Sequence, residues 1–220
     1  EDPSIIRKAD VLLMESTYGD RNHRSHEETI REFMEALDQA VDDGGNVLIP
    51  AFAVGRTQDL LYHLGQMHHE GRLRQNQVLL DSPMGTSLSE VYENNTRLFN
   101  DDNPRFRKTM THTWEQWLPV LRFTRRTEEL MALNRIDSGA IIIAGSGMCS
   151  GGRIKQHFKH NIWRSDCHVI ISGFQARGTL GLKVVADSKG VLTGTLAFDR
   201  LDVAAYLPRG PVMRDSRALE

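Results

Sequence analysis

The sequence has little cysteine, no long apolar run and almost no net charge. Its two cysteines, Cys149 and Cys167, form no C-x-x-C pair and are too few for a disulfide framework, as is typical of a reducing cytoplasm. No apolar run approaches the roughly 18–20 residues that span a bilayer, so we expect no membrane segment. The formal net charge of −2 argues against a polycation that coats nucleic acid, although a local basic groove is left open.

Several catalytic motifs are also absent. The chain has no G-x-G-x-x-G or G-K-[ST] stretch, and Gly145-Ser146-Gly147 lacks the spacing of a G-x-S-x-G nucleophile elbow. The nine histidines fall into no H-E-x-x-H or H-x-H-x-D-H pattern. We therefore expect no metal site within this chain, and a surface or capping role for His157.

What the sequence does contain is a regular alternation of strands and helices. Short apolar runs predict strands at about 9–14, 46–49, 78–80, 121–123, 141–143 and 168–171. Ser25 and Glu28 form an S-x-x-E capping box that opens an amphipathic helix ending before Gly44. Further helices are predicted at about 57–70, from 85 to about 95, and at about 127–133 and 152–160. This order predicts an α/β fold, a doubly wound, mainly parallel sheet with helices on both faces.

The chain is predicted to form one principal domain, residues 1–181. Within it, residues 96–120 form a polar helical or lid-like excursion. Its Trp114 and Trp117 either stack on bases or pack against the sheet. Residues 182–220 are a divergent tail that is either the end of the domain or a return segment.

The most informative stretch is Ala140–Arg153, AIIIAGSGMCSGGR, hereafter the glycine loop and its strand. A buried strand followed by glycines and a helix lets backbone N–H groups approach an anion closely. In parallel sheets, ligands gather at the carboxyl ends of the strands. The loops expected there carry arginines, hydroxyls and one acid, which suit phosphate recognition: Glu15, Arg21, Arg56, Ser82, Ser146, Arg153 and Arg177. A purely structural role for the glycines, and a solvated cap at Glu15, are the alternatives.

Five blocks of sequence carry a family resemblance. They are ADVLLMESTYGDR (9–21), VLIPAFAVGRTQ (47–58), LLDSPMG (79–85), IIIAGSGMCSGGR (141–153) and VIISGFQARGTLG (169–181). In order and spacing they resemble the β-CASP region of metallo-β-lactamase-fold RNA-processing nucleases. That family includes the cleavage-and-polyadenylation endonuclease and bacterial ribonuclease J.

The resemblance implies a metal-dependent phosphodiesterase that acts on RNA. In the family, the β-CASP domain is inserted into a metallo-β-lactamase domain, two zinc ions activate a water, and RNA enters the cleft between the domains. Glu15 would support a histidine beside the metals without ligating them. Ser146, Gly147 and Met148 would lie against the RNA backbone. The further candidates for RNA or phosphate contacts are Arg21, Arg56, Ser82, Gly151, Arg153 and Arg177.

Two departures from the family pattern limit what this chain is expected to do alone. The H-x-H-x-D-H zinc motif is absent, and no histidine follows Gly181. We therefore expect the zinc ligands on a missing metallo-β-lactamase domain of the same parent chain, and an inactive fragment. The alternatives are a non-catalytic RNA- or nucleotide-binding scaffold module and, less favoured, a small-molecule phosphate enzyme. A cytoplasmic location is expected, and a homodimer is left open.

Overall fold

The computed structural model describes residues 5–14, 16–17, 19, 25–96, 113–124 and 136–186, and the backbone of three short strands within residues 197–214. The helices are α1 (His26–Asp42), α2 (Arg56–His69), α3 (Pro83–Asn94), α4 (Trp114–Trp117), α5 (Ile154–Asn161) and α6 (Leu180–Ala186). The strands are β1 (Val47–Pro50), β2 (Gln77–Asp81), β3 (Leu121–Phe123), β4 (Ala140–Ala144), β5 (His168–Ile171), β6 (Ala197–Phe198), β7 (Leu201–Asp202) and β8 (Val212–Arg214). No described helix is long and apolar enough to cross a membrane.

Six of these strands form one parallel sheet in the order β3-β2-β4-β1-β5-β8, and β6 and β7 form a separate antiparallel pair. The α/β fold predicted from the sequence is therefore confirmed. Strand β8 lies within the stretch predicted as a tail, while α6 crosses the predicted boundary at residue 181. That domain boundary stays a prediction.

The sheet is buried on both faces because its strands are apolar at consecutive positions. Alternate side chains of one strand enter different cores. Ile141 and Ile143 join the cluster that contains the helix residues Leu37 and Leu61, whereas Ile142 joins a second cluster on the other face. Helices α1 and α2 cover the first face, and α5 and α6 cover the second. This layering fixes the register of β4, and that register places the glycine loop at the carboxyl edge of the sheet.

The first predicted strand, residues 9–14, is wrong. The structure has no strand there, and Leu13 is 92% exposed. A strand is held by a hydrogen-bond ladder to a neighbour, and this segment pairs with none of the described strands. An apolar run is therefore not sufficient evidence of a strand, because a strand also needs a neighbouring strand with which to form hydrogen bonds.

The two tryptophans of the predicted excursion are core residues. Trp114 and Trp117 are both buried, and their indole N–H groups donate to the carbonyl oxygens of Ser89 (2.9 Å) and Tyr62 (3.2 Å). Packing, rather than stacking on bases, is thus their role in the structure. The predicted helix at 127–133 and residues 97–112 lie outside the described residues.

Candidate functional site

The carboxyl edge of the sheet brings the ends of three neighbouring strands together. Ala144, the last residue of β4, is in register with Pro50 of β1 on one side and Asp81 of β2 on the other. The glycine loop therefore leaves the sheet between residues 51–55 and the start of α3. These segments are far apart in sequence and become neighbours only through the strand order.

The glycine loop, residues 145–153, is a closed turn. The Ser146 N–H donates to the Gly151 carbonyl (3.2 Å), and the Ser146 hydroxyl exchanges hydrogen bonds with the Gly151 backbone at 3.3 Å. The N–H of Ile154 returns to the Gly145 carbonyl at 2.9 Å, which joins the loop to α5. Ser146 thus helps to close the loop from within.

Two glycines of the loop lie against close neighbours. Gly152 has φ +73°, and a Cβ there would lie 2.3 Å from the carbonyl oxygen of Gly145. A Cβ at Gly147 would lie 2.7 Å from the ring of Phe52. The compact shape of the loop therefore depends on glycine at position 152, and the close approach of the Phe52 ring depends on glycine at position 147.

Closing the loop in this way leaves backbone donors unused. Between Ser146 and Arg153, five N–H groups have no hydrogen-bond partner within the described residues, namely those of Gly147, Met148, Ser150, Gly152 and Arg153. Gly147 is buried, whereas Ser150 and Gly152 are exposed, so these donors are satisfied by water or are open to a ligand. A run of such donors ahead of a helix is suited to an anion.

A buried carboxylate, Asp81, supports the loop from below. Its side chain is fully buried, with one oxygen 2.5 Å from Arg153 Nη1 and the other 2.7 Å from His157 Nε2. Burial raises the pKa of Asp81, but the hydrogen bonds from His157 and Arg153 outweigh it and hold that pKa below its usual range. The ionised carboxylate accepts only, so the His157 proton in this contact lies on Nε2.

The structure bears on two expectations from the sequence, those for His157 and Arg153. The surface or capping role predicted for His157 is wrong, because the side chain is fully buried. Its Nδ1 has no hydrogen-bond partner in the described part of the chain. Arg153, predicted as a phosphate contact, directs its guanidinium to Asp81. It therefore helps to anchor the loop, and its contact with phosphate stays a prediction.

The other predicted site residues differ in their surroundings. Ser82 caps α3, its hydroxyl accepting from the Gly85 N–H at 3.1 Å. Arg177 is exposed on the loop after β5. The Met148 carbonyl accepts from the Gly181 N–H at 3.1 Å. Glu15 and Arg21 lie outside the described residues.

Arg56 lies at the mouth of two pockets. Its side chain is 39% exposed, and its guanidinium is 3.8 Å from the Asp59 carboxylate, a long ion pair in water. The larger pocket, about 290 Å³, opens beside Gly147. The smaller pocket, about 100 Å³, lies between α1 and α2 and is lined in part by His63. Burial, with repulsion from His26 and Arg56, lowers the pKa of His63 to about 4.

The donor set of the described residues does not fit a catalytic metal. No group of three His, Cys, Asp or Glu side chains among them could hold an ion. The two buried histidines that a metal could use as ligands, His157 and His168, each contact one carboxylate oxygen at 2.7 Å. No chemical step through a metal is therefore derived from these residues.

Sequence reasoning missed Asp81, His157 and Phe52 as parts of this site. Asp81 and His157 are 76 residues apart, and no local pattern links them. Asp81 lies in a quoted block, and a polar residue at the end of an otherwise apolar strand was the available signal for it. His157 lies four residues after another block, on the helix α5, and had no such signal.

A family model and several known proteins match this sequence, and they agree on one family. The sequence model of the Beta-Casp domain matches residues 57–184, more than half of the chain. Ribonuclease TTHA0252 of Thermus thermophilus is 39% identical over 189 residues, which cover 84% of this chain and 42% of that protein. The transcription termination factor FttA of Methanocaldococcus jannaschii is 31% identical, over 86% of this chain and 30% of that one.

A eukaryotic relative also matches. Cleavage and polyadenylation specificity factor 73 of Drosophila melanogaster is 28% identical over 84% of this chain and 26% of its own length. The chain thus spans less than half the length of these relatives. The resemblance drawn from the five sequence blocks is confirmed.

Proposed function

The chain belongs to the Beta-Casp domain family, and on that premise we propose that it is the RNA-positioning part of a metal-dependent ribonuclease. The single observation that carries the proposal is the glycine loop with its five unpaired N–H groups at the carboxyl edge of the sheet. A phosphodiester oxygen would accept from these donors, as anions do at such turns.

The neighbourhood of the loop supports a phosphate ligand. The Gln175 side chain donates to the Gly147 carbonyl at 2.9 Å, which ties the β5 loop, with its exposed Arg177, to the glycine loop. Arg56 reaches the same edge from α2. These two guanidiniums supply local positive charge on a chain whose net charge is −2.

Catalysis is proposed for the whole protein and not for this chain alone. Two zinc ions, held by a metallo-β-lactamase domain of the same parent chain, would supply the activated water. In this proposal Glu15 orients a histidine beside the metals, and Arg21 and Ser82 flank the RNA path. The parent would act in the cytoplasm, and a homodimer is compatible with the proposal.

The proposal is tested by measuring how the chain binds a labelled oligouridylate in increasing salt. For about three contacted phosphates of a single strand, the plot of log affinity against log salt should have a slope of about −2. A slope near zero, or equal competition by uridine monophosphate, contradicts an RNA channel and favours a small-molecule phosphate site.

The catalytic part needs the whole parent protein. RNA hydrolysis that a chelator abolishes and zinc restores supports the nuclease. RNA binding without hydrolysis by the metal-loaded parent favours the non-catalytic scaffold.

A further inference from the structure

The larger pocket beside the glycine loop is lined by a half-exposed aromatic ring, that of Phe52. Phe52 is 47% exposed, although it follows the buried Ala51 at the end of β1. Its backbone is held on both sides, since the Ala51 N–H donates to the Ala144 carbonyl (3.0 Å) and the Thr57 hydroxyl donates to the Phe52 carbonyl (2.7 Å). The backbone that carries the ring is thus held in place.

The ring of Phe52 also lies directly on the glycine loop. A Cβ at Gly147 would meet ring carbons at 2.7 to 3.0 Å, so only a glycine lets the ring approach the loop this closely. The N–H of Gly147 is among the unpaired donors. An apolar ring face and a phosphate-binding donor are therefore adjacent.

A second aromatic side chain and a cation complete the pocket. Phe174, on the loop after β5, lines the same volume of about 290 Å³, together with Arg56. The volume is near the lower end of the roughly 300–1,000 Å³ typical of small-ligand sites. The loop that carries Phe174 is fixed by Gln175, whose amide donates to the carbonyl oxygens of Gly147 (2.9 Å) and Gly173 (3.1 Å).

We propose that this pocket is a stacking subsite for one unpaired nucleobase of single-stranded RNA, with Phe52 as the platform. The inference rests on the proposed function and adds to it. Aromatic faces bind any base, Arg56 adds a cation beside them, and the neighbouring loop donors bind the phosphate of the same strand. An apolar peptide would leave the guanidinium and the backbone donors without partners, which disfavours it.

The subsite makes the bases, and not only the backbone, contribute to affinity. The chain's affinity is compared for an oligouridylate and for an abasic ribose-phosphate strand of the same length. Phe52→Ala should weaken oligouridylate binding roughly tenfold, as loss of one stacking aromatic does, and leave abasic binding unchanged. Phe52→Tyr, which keeps the ring, should retain the wild-type preference for the strand with bases.

A matched control is available at the opposite edge of the sheet. Trp163 precedes β5 and is 49% exposed, almost the same as Phe52. Trp163→Ala should change neither affinity. If Phe52→Ala destabilises the fold, Phe174→Ala gives the same test from a different loop, with thermal unfolding as the check.

The outcomes separate the two proposals. Equal losses for both strands, or no loss for either, overturn the subsite while salt-dependent RNA binding persists. If the wild-type chain binds neither strand, both the subsite and the proposed function are wrong.

Discussion

The polar groups at the two edges of the sheet differ in their hydrogen bonding. At the amino edge, the polar side chains form hydrogen bonds with neighbouring protein groups. The Asn46 side chain donates to the Ile136 carbonyl (2.6 Å) and accepts from the Ala140 N–H (3.1 Å), and His168 contacts Asp43 at 2.7 Å. Arg164 pairs with Asp166 at 2.9 Å.

At the carboxyl edge, by contrast, several backbone N–H groups have no hydrogen-bond partner among the described residues. The glycine loop closes on itself and keeps five N–H groups unpaired, next to the exposed ring of Phe52. The paired carboxylate there, Asp81, lies beneath the loop and not on its surface. The amino edge thus contributes to stability, and the unpaired donors of the carboxyl edge support the proposed ligand site.

The largest expected effect contrasts the two carboxylate–histidine pairs. Asp81→Asn removes a buried charge that holds Arg153 and His157, and should lower the free energy of unfolding by about 3 kcal/mol. Asp43→Asn, at a partly exposed carboxylate, should cost far less. Chemical denaturation of both variants measures the contrast, and equal losses would contradict it.

The same pair predicts a pH dependence. The folded-state pKa of Asp81 is lowered below its reference value of 3.8, so its contribution is complete above that pH and is lost as the pH falls further. Asp81→Asn should therefore be less sensitive than wild type to acid below about pH 4. An unchanged acid profile would show that the carboxylate is not ionised in the folded state.

The next effect concerns adjacent glycines of the loop. Gly152→Ala places a Cβ 2.3 Å from a carbonyl oxygen at positive φ, and should cost about 2 kcal/mol or more together with most of the RNA affinity. A Cβ at Gly151 meets nothing within 4 Å, so Gly151→Ala should change stability by less than about 0.5 kcal/mol. Thermal unfolding that ranks Gly151→Ala as equally damaging would show that the loop geometry is wrong.

A smaller effect separates two histidines. His63 has a folded-state pKa of about 4 against 6.5 for the free side chain, so its stabilising contribution is complete above pH 6.5 and is lost toward pH 4. Unfolding at pH 5 should require about 1–2 kcal/mol less than at pH 7, and His63→Gln should remove most of that difference. His160→Gln, at an exposed position, is the control and should retain it.

Most of the sheet could be predicted because its signals are local. The apolar run 141–143 bounded by glycines became β4, and the capping box of Ser25 and Glu28 is present, with the Ser25 hydroxyl accepting from the Glu28 N–H at 3.2 Å. Each signal lies within a few residues of the element it defines, so one sequence is enough to find it.

The parts that could not be predicted depend on pairing between distant segments. The run 9–14 has a strand-like composition but no ladder partner among the described strands. The contact of His157 with Asp81 exists only because β2 and β4 are adjacent, an order that the sequence does not state. The contact of the Phe52 ring with Gly147 likewise joins residues 95 positions apart, which no local pattern links.

The smallest effect compares two serines of the glycine loop. Ser146 closes the loop through the Gly151 backbone at 3.3 Å, whereas the exposed Ser150 makes one long contact, 3.4 Å to the Met148 carbonyl. Ser146→Ala should therefore lower the free energy of unfolding by about 1 kcal/mol, and RNA affinity should fall because the donors lose their alignment. Ser150→Ala should leave stability unchanged within about 0.5 kcal/mol. If Ser146→Ala loses stability but binds RNA as tightly as wild type, the donors of this edge do not hold the phosphate, and the contrast between the two edges loses its functional meaning.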